Sequence, residues 1–278
     1  MAVNRYNELA QAFDALAAGY DQTYGPKNSQ VMAWFRQENL DLLKATFAQG
    51  ANLLEIGCGT GEEAIHLAQQ GYRITATDVS PQMVAITRQK ARVAGLDDRI
   101  AAITLPAGRL LELEPQAHFD GAYASFGCLN CEPDLPGLAS ALAGLVKPGG
   151  AFVCSVMARV SPFEMFWFLA HLQPGSALRR LKSGWQLASV NGATGEQTSI
   201  SVPTRYLTRK ELTSSFAPYL SFERSRAMGL MVPPPYLDSL YRRRRSFWQR
   251  LALLERRLRD AWPWRGMGDH ISLVFRVR

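Results

Sequence analysis

The chain reads Asn52-Leu53-Leu54-Glu55-Ile56-Gly57-Cys58-Gly59-Thr60-Gly61, a short apolar run followed by three closely spaced glycines. The apolar run predicts a buried strand, the glycines predict a tight loop, and residues 62–70 predict a helix that ends at Gly71. A strand at 73–77 and a helix at 81–93 repeat this order. Strands that alternate with helices in this way form a parallel sheet that is covered on both faces.

The same alternation runs through most of the remaining chain, with one interruption. Further strands are predicted at 100–105, 121–125, 151–157, near 221–228 and at 271–275. Helices are predicted at 5–18, 29–47, 135–145, 162–181 and 208–216, and a long arginine-rich helix follows Pro233-Pro234-Pro235. Residues 183–201 are rich in Gly, Ser and Thr and show no clear period, so they are predicted to be an irregular insertion.

Composition limits the class of protein. With 278 residues, 47% of them hydrophobic, the chain does not belong to the intrinsically disordered class and is long enough to bury a large core. It shows no basic and apolar leader and no run of ~18 apolar residues, which predicts a soluble, cytoplasmic protein. Four cysteines are too few for a disulfide framework, so a reducing compartment is predicted. Cys128-x-x-Cys131 fits buried thiols better than a metal or redox site.

The glycine loop and two acids together form a nucleoside-binding pattern. Glycines let the backbone approach a ligand closely, and the helix behind them offers free N–H groups to an anionic group. Asp78, at the end of the second predicted strand, can accept two hydrogen bonds from a ribose diol. The third glycine comes one residue too early for a dinucleotide loop, and Glu55 disfavours a pyrophosphate. A cationic ligand head is compatible with Glu55, so the pattern favours S-adenosylmethionine as the cofactor.

These motifs resemble those of the class I S-adenosylmethionine-dependent methyltransferases of the small-molecule type. The resemblance rests on the glycine loop, Asp78-Val79-Ser80-Pro81-Gln82-Met83, Phe119-Asp120, Val146-Lys147-Pro148-Gly149-Gly150, and the pattern that runs from Phe13-Asp14 to Tyr20-Asp21. It covers residues 5–157 well and residues 204–228 and 269–278 more loosely. It implies an α/β fold with a doubly wound, seven-stranded, mostly parallel sheet in the order 3-2-1-4-5-7-6, the last strand antiparallel.

On this basis the chain divides into six segments. They are an N-terminal helical lid (1–50), an S-adenosylmethionine-binding core (51–157), an inserted substrate cover (158–203), a continuation of the core (204–228), a basic helical insertion (229–269) and the last core strand (270–278).

The resemblance also implies where the cofactor lies. The acid and the glycine loop would hold the methionine part, Asp78 the ribose, and apolar side chains the adenine. The cofactor-binding residues carried over are Glu55, Gly57, Cys58, Gly59, Gly61, Asp78, Val79, Met83, Gly108, Ser125 and Phe126. Residues 105–109 contain no acid, whereas many members place a partner for the adenine amino group there, so only the location is carried over to Gly108.

Three residues are candidates for the chemistry around the methyl group: Tyr20, Asn130 and His171. Tyr20 belongs to the lid pattern, and it equally fits a core aromatic of the first helix. Asn130 could orient a polar group of the substrate or cap a turn. His171 and His270 could each act as a general base, and each also fits ordinary packing. Methyl transfer depends above all on positioning, and it needs a base only when the nucleophile must lose a proton.

The two insertions indicate the class of acceptor. Residues 158–203 and 229–269 emerge where the family builds its substrate cover, and both are rich in Phe, Trp and Tyr. This content favours a small hydrophobic or aromatic acceptor, such as a lipid-like, isoprenoid or natural-product molecule, although some of these aromatics must form the insertions' own core. An RNA or protein methyltransferase and a non-catalytic cofactor-binding protein are the alternatives. A nucleic-acid partner is disfavoured, and the oligomeric state is undefined.

The positive charge of the chain is concentrated in one segment. The net charge is +7, and residues 241–259 contain eight arginines against a single acid. The apolar residues of the segment recur at helical spacing and predict one stripe that packs onto the cover, formed by Phe247, Leu251, Leu254 and Leu258. A solvated cationic helix is the simplest interpretation. The alternative hypothesis is that the helix attracts an anionic membrane surface or the phosphate of a lipid-like acceptor.

Overall fold

The structure, a computed structural model, describes residues 2–113, 118–191 and 199–278. The strands are, in chain order, β1 (Asn52–Ile56), β2 (Arg73–Asp78), β3 (Ile100–Thr104), β4 (Phe119–Ala124), β5 (Val146–Met157), β6 (Gln186–Asn191), β7 (Ser199–Thr204), β8 (Leu220–Met228) and β9 (His270–Val277). The α-helices are α1 (Ala2–Tyr24), α2 (Gln30–Thr46), α3 (Glu62–Gln69), α4 (Pro81–Val93), α5 (Cys128–Cys131), α6 (Leu135–Leu145), α7 (Pro162–Ala170), α8 (Pro174–Ala177), α9 (Arg209–Phe216), α10 (Asp238–Arg243) and α11 (Arg245–Leu258). Within the described ranges, every helix is too short or too polar to cross a bilayer.

Seven strands form one sheet in the order β3-β2-β1-β4-β5-β9-β8. Strands β1 to β5 run parallel, and β9 pairs antiparallel with both β5 and β8. The order and the antiparallel last strand confirm the prediction made from the sequence. Between β1 and β4 the chain changes the direction in which it adds strands. The loops after these two strands therefore diverge and leave a crevice, which is where doubly wound sheets bind ligands.

The sheet is covered on both faces because its central strands are apolar on both sides. In β1, Leu54 and Ile56 join a buried cluster with α6 and α9, whereas Leu53 joins a second cluster with α2, α3 and α4. In β5, the neighbours Phe152 and Val153 divide between the same two clusters. Because successive side chains of a strand point to opposite faces, this division requires helices on both sides of the sheet.

The cover differs from its prediction in two ways. The single helix predicted for 162–181 is wrong: α7 ends at Ala170, and Leu172 takes a positive φ of 58°. Pro174 then begins the short helix α8, because proline has no N–H and its ring clashes with a preceding helical turn. The irregular segment predicted for 183–201 is also wrong where the structure describes it, since β6 and β7 pair antiparallel there, while residues 192–198 lie outside the described residues.

The arginine-rich segment forms two helices, α10 and α11, with a break at Arg244 (φ −137°, ψ 46°). The buried face of α11 carries Trp248 and Ala252. Two members of the predicted stripe, Phe247 and Leu254, are instead 50% and 44% exposed. Leu251, a third member, does pack against the buried cluster that contains Trp248, so the predicted packing face is wrong for Phe247 and Leu254 only.

Polar contacts explain which face α11 turns inwards. The buried carboxylate of Glu255 accepts hydrogen bonds from the N–H groups of Gly229 at 2.9 Å and Met231 at 2.8 Å, just beyond β8. Glu38 on α2 is buried, accepts a hydrogen bond from Arg256 Nε at 2.8 Å, and forms an ion pair with Arg259. These contacts fix the rotation of α11, and a pattern of apolar residues cannot show them.

Replacing Glu38 by Gln should lower the free energy of unfolding by about 1–3 kcal/mol, because two arginines at the contact between α2 and α11 lose their charged partner. Urea denaturation followed by circular dichroism measures this change. Glu8→Gln is the matched control, since that carboxylate is 60% exposed and 3.9 Å from Arg5, and it should change stability by less than about 0.5 kcal/mol. Equal losses in the two variants would contradict the assignment.

Candidate functional site

A cavity of about 590 Å³ lies at the carboxyl ends of β1, β2 and β4. Residues of the glycine loop and the end of β2 form one part of its wall, including Gly59 and Asp78. Tyr206, Tyr236 and His270 form another part, on the side of the sheet that carries β9. Helix α1 and the β6–β7 hairpin supply the remaining cover. A concave site with aromatic walls and few polar groups is typical of small-molecule binding.

The glycine loop is held against β2 by its backbone. The N–H groups of Gly57 and Cys58 both donate to the carbonyl oxygen of Thr77, at 2.8 and 2.9 Å. Gly57 has a φ of +70°, and a Cβ there would lie 2.3 Å from Cys128 Sγ, so a side chain cannot be accommodated. A Cβ on Gly59, by contrast, would meet no atom within 4 Å, because this residue faces the open cavity. The loop therefore leaves room for a ligand that approaches its backbone.

Asp78 lies at the end of β2 and shapes both loops beside it. Its Oδ2 accepts the N–H of Gly59 at 2.8 Å, and its Oδ1 accepts the N–H of Ser80 at 2.9 Å. Burial raises the pKa of Asp78 to about 6, and the backbone hydrogen bonds oppose that shift. Each carboxylate oxygen keeps a further lone pair, so two ribose hydroxyls can still be bound.

Glu55 is a buried acid with an unfilled hydrogen-bonding site. The residue is 1% exposed, and within the described residues its Oε2 and the neighbouring Tyr123 hydroxyl make no hydrogen bond of normal geometry. Burial, and secondarily the charge of Glu63, raise the pKa of Glu55 well above its usual range. Glu55 directly precedes Ile56, which lines the cavity. A cationic group that approached the loop would supply the missing partner and favour the charged carboxylate.

Two aspartates of α1 fasten this helix to the loops that follow β1 and β2. Asp14 Oδ1 accepts a hydrogen bond from Ser80 Oγ at 2.5 Å, and Asp21 Oδ1 accepts one from Thr60 Oγ1 at 2.6 Å. Lys90 on α4 adds an ion pair with Asp21 at 2.6 Å. Both aspartates belong to the pattern that runs from residue 13 to residue 21. The pattern therefore supplies one hydrogen-bonding acid from α1 to each of the two loops.

Tyr20 lines the cavity between these two anchors. Its ring centroid lies 4.9 Å from that of Tyr24, at the end of α1, which continues beyond the end at residue 18 that the sequence predicted. Burial raises the pKa of Tyr20 above its ordinary value, so its hydroxyl stays protonated and can donate a hydrogen bond. Tyr20 is therefore both a packed aromatic and a wall of the site.

Most of the predicted cofactor residues meet at this cavity. Together with Tyr20, those that line it are Gly57, Cys58, Gly59, Asp78, Val79, Met83, Ser125 and Phe126. Glu55 and Gly61 lie behind the wall, next to residues that form it. Gly108 also lies outside the wall: a Cβ there would be 2.5 Å from Tyr6 Oη, and the adjacent Ala107 lines the cavity in its place.

Asn130 and His171 are not among the residues that line the cavity, so their interpretation as catalytic residues stays a prediction. The Asn130 side chain is fully buried and already engaged: Nδ2 donates to the carbonyl oxygens of Met157 and Arg205, and Oδ1 accepts the N–H of Met157 at 2.8 Å. It fastens α5 to β5. His171 is exposed just after α7, with its ring centroid 4.2 Å from that of Trp167.

The cavity wall includes a histidine and carboxylate pair, of which only the histidine was singled out from the sequence. His270 was interpreted either as a general base or as a packed residue, and the structure places it on the cavity wall. Its Nδ1 lies 2.9 Å from Asp269 Oδ2, and Asp269 Oδ1 lies 2.6 Å from Arg180 Nη2. The sequence did contain a signal, because Asp269 directly precedes His270 at the start of the last strand. What it could not show is the arginine from the cover, 89 positions away.

The chain resembles known methyltransferases over much of its length. Residues 30–209 match the family described as "Methyltransferase domain". A ubiquinone biosynthesis O-methyltransferase of Xylella fastidiosa is 34% identical over 158 residues, which cover 56% of this chain and 61% of that protein. A demethylmenaquinone methyltransferase of Symbiobacterium thermophilum is 27% identical over 166 residues, 57% of this chain and 61% of that protein. The matches therefore span about three fifths of the length of these relatives.

Solved structures share the fold at low sequence identity. The CcbJ methyltransferase from Streptomyces caelestis superposes with a TM-score of 0.58 at 17% identity, and covers 87% of this chain and 94% of its own. The DhpI–SAH complex gives a TM-score of 0.57 at 14% identity, and the match covers 100% of this chain and 98% of that one. At these identities the likeness concerns the fold alone.

Addition of S-adenosylhomocysteine should slow amide hydrogen exchange in residues 5–24, because α1 is fastened to both loops that flank the cavity. Mass spectrometry of peptides from this region measures the effect. Peptides from α9, which packs on the sheet away from the cavity wall, serve as the internal control and should not change. Unaltered exchange in 5–24 at saturating ligand would leave α1 as a static part of the fold.

Proposed function

Because the chain belongs to the methyltransferase-domain family, we propose that it is an S-adenosylmethionine-dependent enzyme that methylates a small hydrophobic acceptor. One observation carries the proposal: a single cavity joins the glycine loop and Asp78 to a chamber walled by Phe126, Tyr206 and Tyr236. A cofactor and an apolar acceptor bound in the same cavity would be in contact. The proposal therefore rests on the continuity of the site as well as on its motifs.

The residues at the loop end fit S-adenosylmethionine. Glu55 offers a buried acceptor without a partner, which suits the amino group of the methionine part. Gly59 faces open space and leaves its backbone accessible to the ligand. Asp78 keeps lone pairs for the ribose hydroxyls, while Val79 and Met83 supply apolar surface for the adenine ring. When bound, the cofactor supplies a methyl group activated by a positively charged sulfur.

The chain contributes mainly binding, orientation and exclusion of water. Such a displacement requires an acceptor atom held about 3–3.5 Å from the methyl carbon, and a good fit of this kind accounts for several kcal/mol of barrier reduction. The lid aspartates hold α1 over the cofactor loops, and the β6–β7 hairpin closes the cavity from the side of the cover. Water is thereby kept from competing with the acceptor.

The walls on the acceptor side support a hydrophobic or aromatic acceptor. Phe126, Tyr206, Tyr236 and Leu187 present apolar surface to the cavity. One relative is named for ubiquinone biosynthesis and another for the methylation of demethylmenaquinone. We therefore extend the proposal to a lipid-like, isoprenoid or natural-product acceptor.

Cofactor binding tests the first half of the proposal. Asp78→Ala should weaken the binding of S-adenosylmethionine by about 2–4 kcal/mol, because two hydrogen bonds to a charged acceptor are lost. Isothermal calorimetry measures this, and Asp97→Ala is the control because it removes an exposed carboxylate far from the wall. Undetectable binding by the wild-type chain, or equal affinities in the two variants, would refute the proposed site.

Product analysis in the same study tests the second half of the proposal. Cofactor labelled in its methyl group is incubated with the enzyme and a cell extract, which is then separated into lipid, RNA and protein fractions. Label should appear in the lipid fraction with the wild-type enzyme and not with Asp78→Ala. Label confined to RNA or protein would assign the chain to another class of methyltransferase. Binding without any transfer would make it a cofactor-binding protein.

A further inference from the structure

We propose that His270 accepts the proton of the acceptor, which makes the acceptor an aromatic or enolic hydroxyl compound and the reaction an O-methylation. This inference rests on the proposed function and assigns the atom that is methylated. His270 lines the cavity, and its Nδ1 is held by Asp269. Among the described residues, its Nε2 has no hydrogen-bond partner.

Asp269 fixes which ring nitrogen is free. Its carboxylate lies 2.9 Å from Nδ1, so that nitrogen carries the hydrogen in the neutral ring and Nε2 keeps its lone pair. Burial alone would raise the pKa of Asp269, but the neighbouring Arg180 and the His270 ring outweigh burial and hold this pKa well below its usual range. Asp269 is therefore a stable anion that favours an imidazolium after proton transfer.

Arg180 in turn holds Asp269 in place from the cover. Its Nη2 lies 2.6 Å from Asp269 Oδ1, and its Nη1 donates to the Asp269 carbonyl oxygen at 3.0 Å. Arg180 also pairs with the buried Glu164 of α7, and its guanidinium lies 5.0 Å from the centroid of the Tyr206 ring. Asp269 and Arg180 are positioning residues, since they act on the reaction through His270.

Aromatic contacts place the His270 ring beside the fourth strand. Its centroid lies 5.6 Å from that of Phe35 and 5.9 Å from that of Phe126, both edge to face. Phe126 has a φ of +49°, a strained conformation for a side chain of this size, and it follows Ser125 at the end of β4. Ser125 and Phe126 both line the cavity and are among the predicted cofactor-binding residues. The ring is thus next to the cofactor end and not at a remote wall.

Several charged and titratable groups near His270 are already paired or stay protonated. Arg180 neutralises Asp269 and Glu164, and Arg36 on α2 pairs with Glu63. Burial raises the pKa of Tyr236 above its usual range, so this phenol stays protonated. Burial also raises the pKa of Cys128 well above that of a free thiol. These groups therefore do not compete with Nε2 for a proton at neutral pH.

The reaction balances with groups already named. The hydroxyl oxygen of the acceptor forms a bond to the methyl carbon while the carbon–sulfur bond breaks, and the electron pair of that bond remains on sulfur, which becomes neutral. The hydroxyl proton moves to His270 Nε2 and leaves an imidazolium beside Asp269. Release of that proton to solvent restores the neutral ring. Neither an oxidant nor a second co-reactant is needed.

Ionisation of a bound phenol tests the assignment. The probe is 4-nitrocatechol, whose visible absorption changes when it loses a proton, added to enzyme saturated with S-adenosylhomocysteine. The wild-type chain should bind it as the phenolate at a pH where the free probe is largely neutral. His270→Gln should bind the probe without that spectral shift. With S-adenosylmethionine, the same variant should lower kcat for the probe by about a hundredfold or more.

Matched variants separate a base from a structural role. His118→Gln changes an exposed histidine and should retain the spectral shift and kcat. Asp269→Asn should weaken the shift and lower kcat without an equal change in KM. The proposal is overturned if the wild-type chain binds the probe as neutral phenol, if it does not bind the probe at all, or if His270→Gln shows the wild-type shift. Calorimetry with S-adenosylmethionine reports separately on cofactor binding, so failure here is distinct from failure of the proposed function.

A second inference rests on a different observation, the outer face of α11. Phe247, Arg250, Leu254 and Arg257 recur at three- and four-residue intervals and are all exposed. Apolar and cationic side chains thus alternate along one outward stripe. Beyond the helix, Trp262 is 79% exposed. A helix that turns apolar residues to solvent between arginines is typical of binding in the plane of a membrane interface.

The arginines of this region fall into two sets. Arg242, Arg256 and Arg259 pair with carboxylates of the fold, as described above for Glu38. Within the described part of the chain, the others have no carboxylate within 4 Å: Arg243, Arg244, Arg245, Arg250 and Arg257. We infer that this second set, together with Phe247 and Leu254, docks onto an anionic lipid bilayer, whose surface charge is complementary to it.

Vesicle co-sedimentation tests this surface. The wild-type protein should bind vesicles of phosphatidylcholine mixed with phosphatidylserine and not vesicles of phosphatidylcholine alone. Changing Arg244, Arg245, Arg250 and Arg257 together to Gln should reduce the bound fraction at least about tenfold. Phe247→Ser with Leu254→Ser should also reduce it, without a loss of charge.

A charge-matched control excludes a general effect of net charge. It changes Arg73, Arg92, Lys210 and Arg278 to Gln, four exposed residues elsewhere on the chain, and should bind the anionic vesicles as the wild type does. The inference is overturned if the wild-type protein stays in the supernatant with anionic vesicles, or if the two quadruple variants lose binding equally.

Discussion

The cavity depends on charged side chains that were removed from water and paired across element boundaries. Arg180 joins the cover to the last strand through Asp269, and Arg36 joins α2 to α3 through Glu63. A buried charge without a partner is costly, so these pairs oppose any shift of one element against another. The walls of the site are therefore held by specific ion pairs in addition to apolar contact.

Glu55 differs from these paired charges. It is as buried as the paired acids, yet one of its oxygens has no partner among the described residues. Burial favours its neutral form until a cation arrives. The free chain thus retains an electrostatic cost at the loop that a cationic ligand would relieve. Binding of a cationic group at the glycine loop is then favoured because it would pair a buried acid, as the arginines pair Glu63 and Asp269.

The central sheet could be predicted from the sequence because local signals and the tertiary fold agree there. The strand before Gly57, the loop and Asp78 are contiguous or one strand apart, and their order fixes the crevice. The cover could not be predicted in the same way. Its hairpin is short and rich in Ser and Thr, and the rotation of α11 is set by Glu38 and Glu255 through contacts that are distant in sequence. The role proposed for His270 depends on Arg180, which only the fold brings to Asp269.

Lid and cover are physically coupled. Leu9 and Leu16 of α1 share one buried cluster with Met83 of the cofactor side and Val202 of the β6–β7 hairpin. Moving α1 away from the cofactor loops therefore exposes apolar surface of the hairpin that walls the acceptor side. Under the proposed function, ligands at the two ends of the cavity would contact walls that share this one apolar cluster.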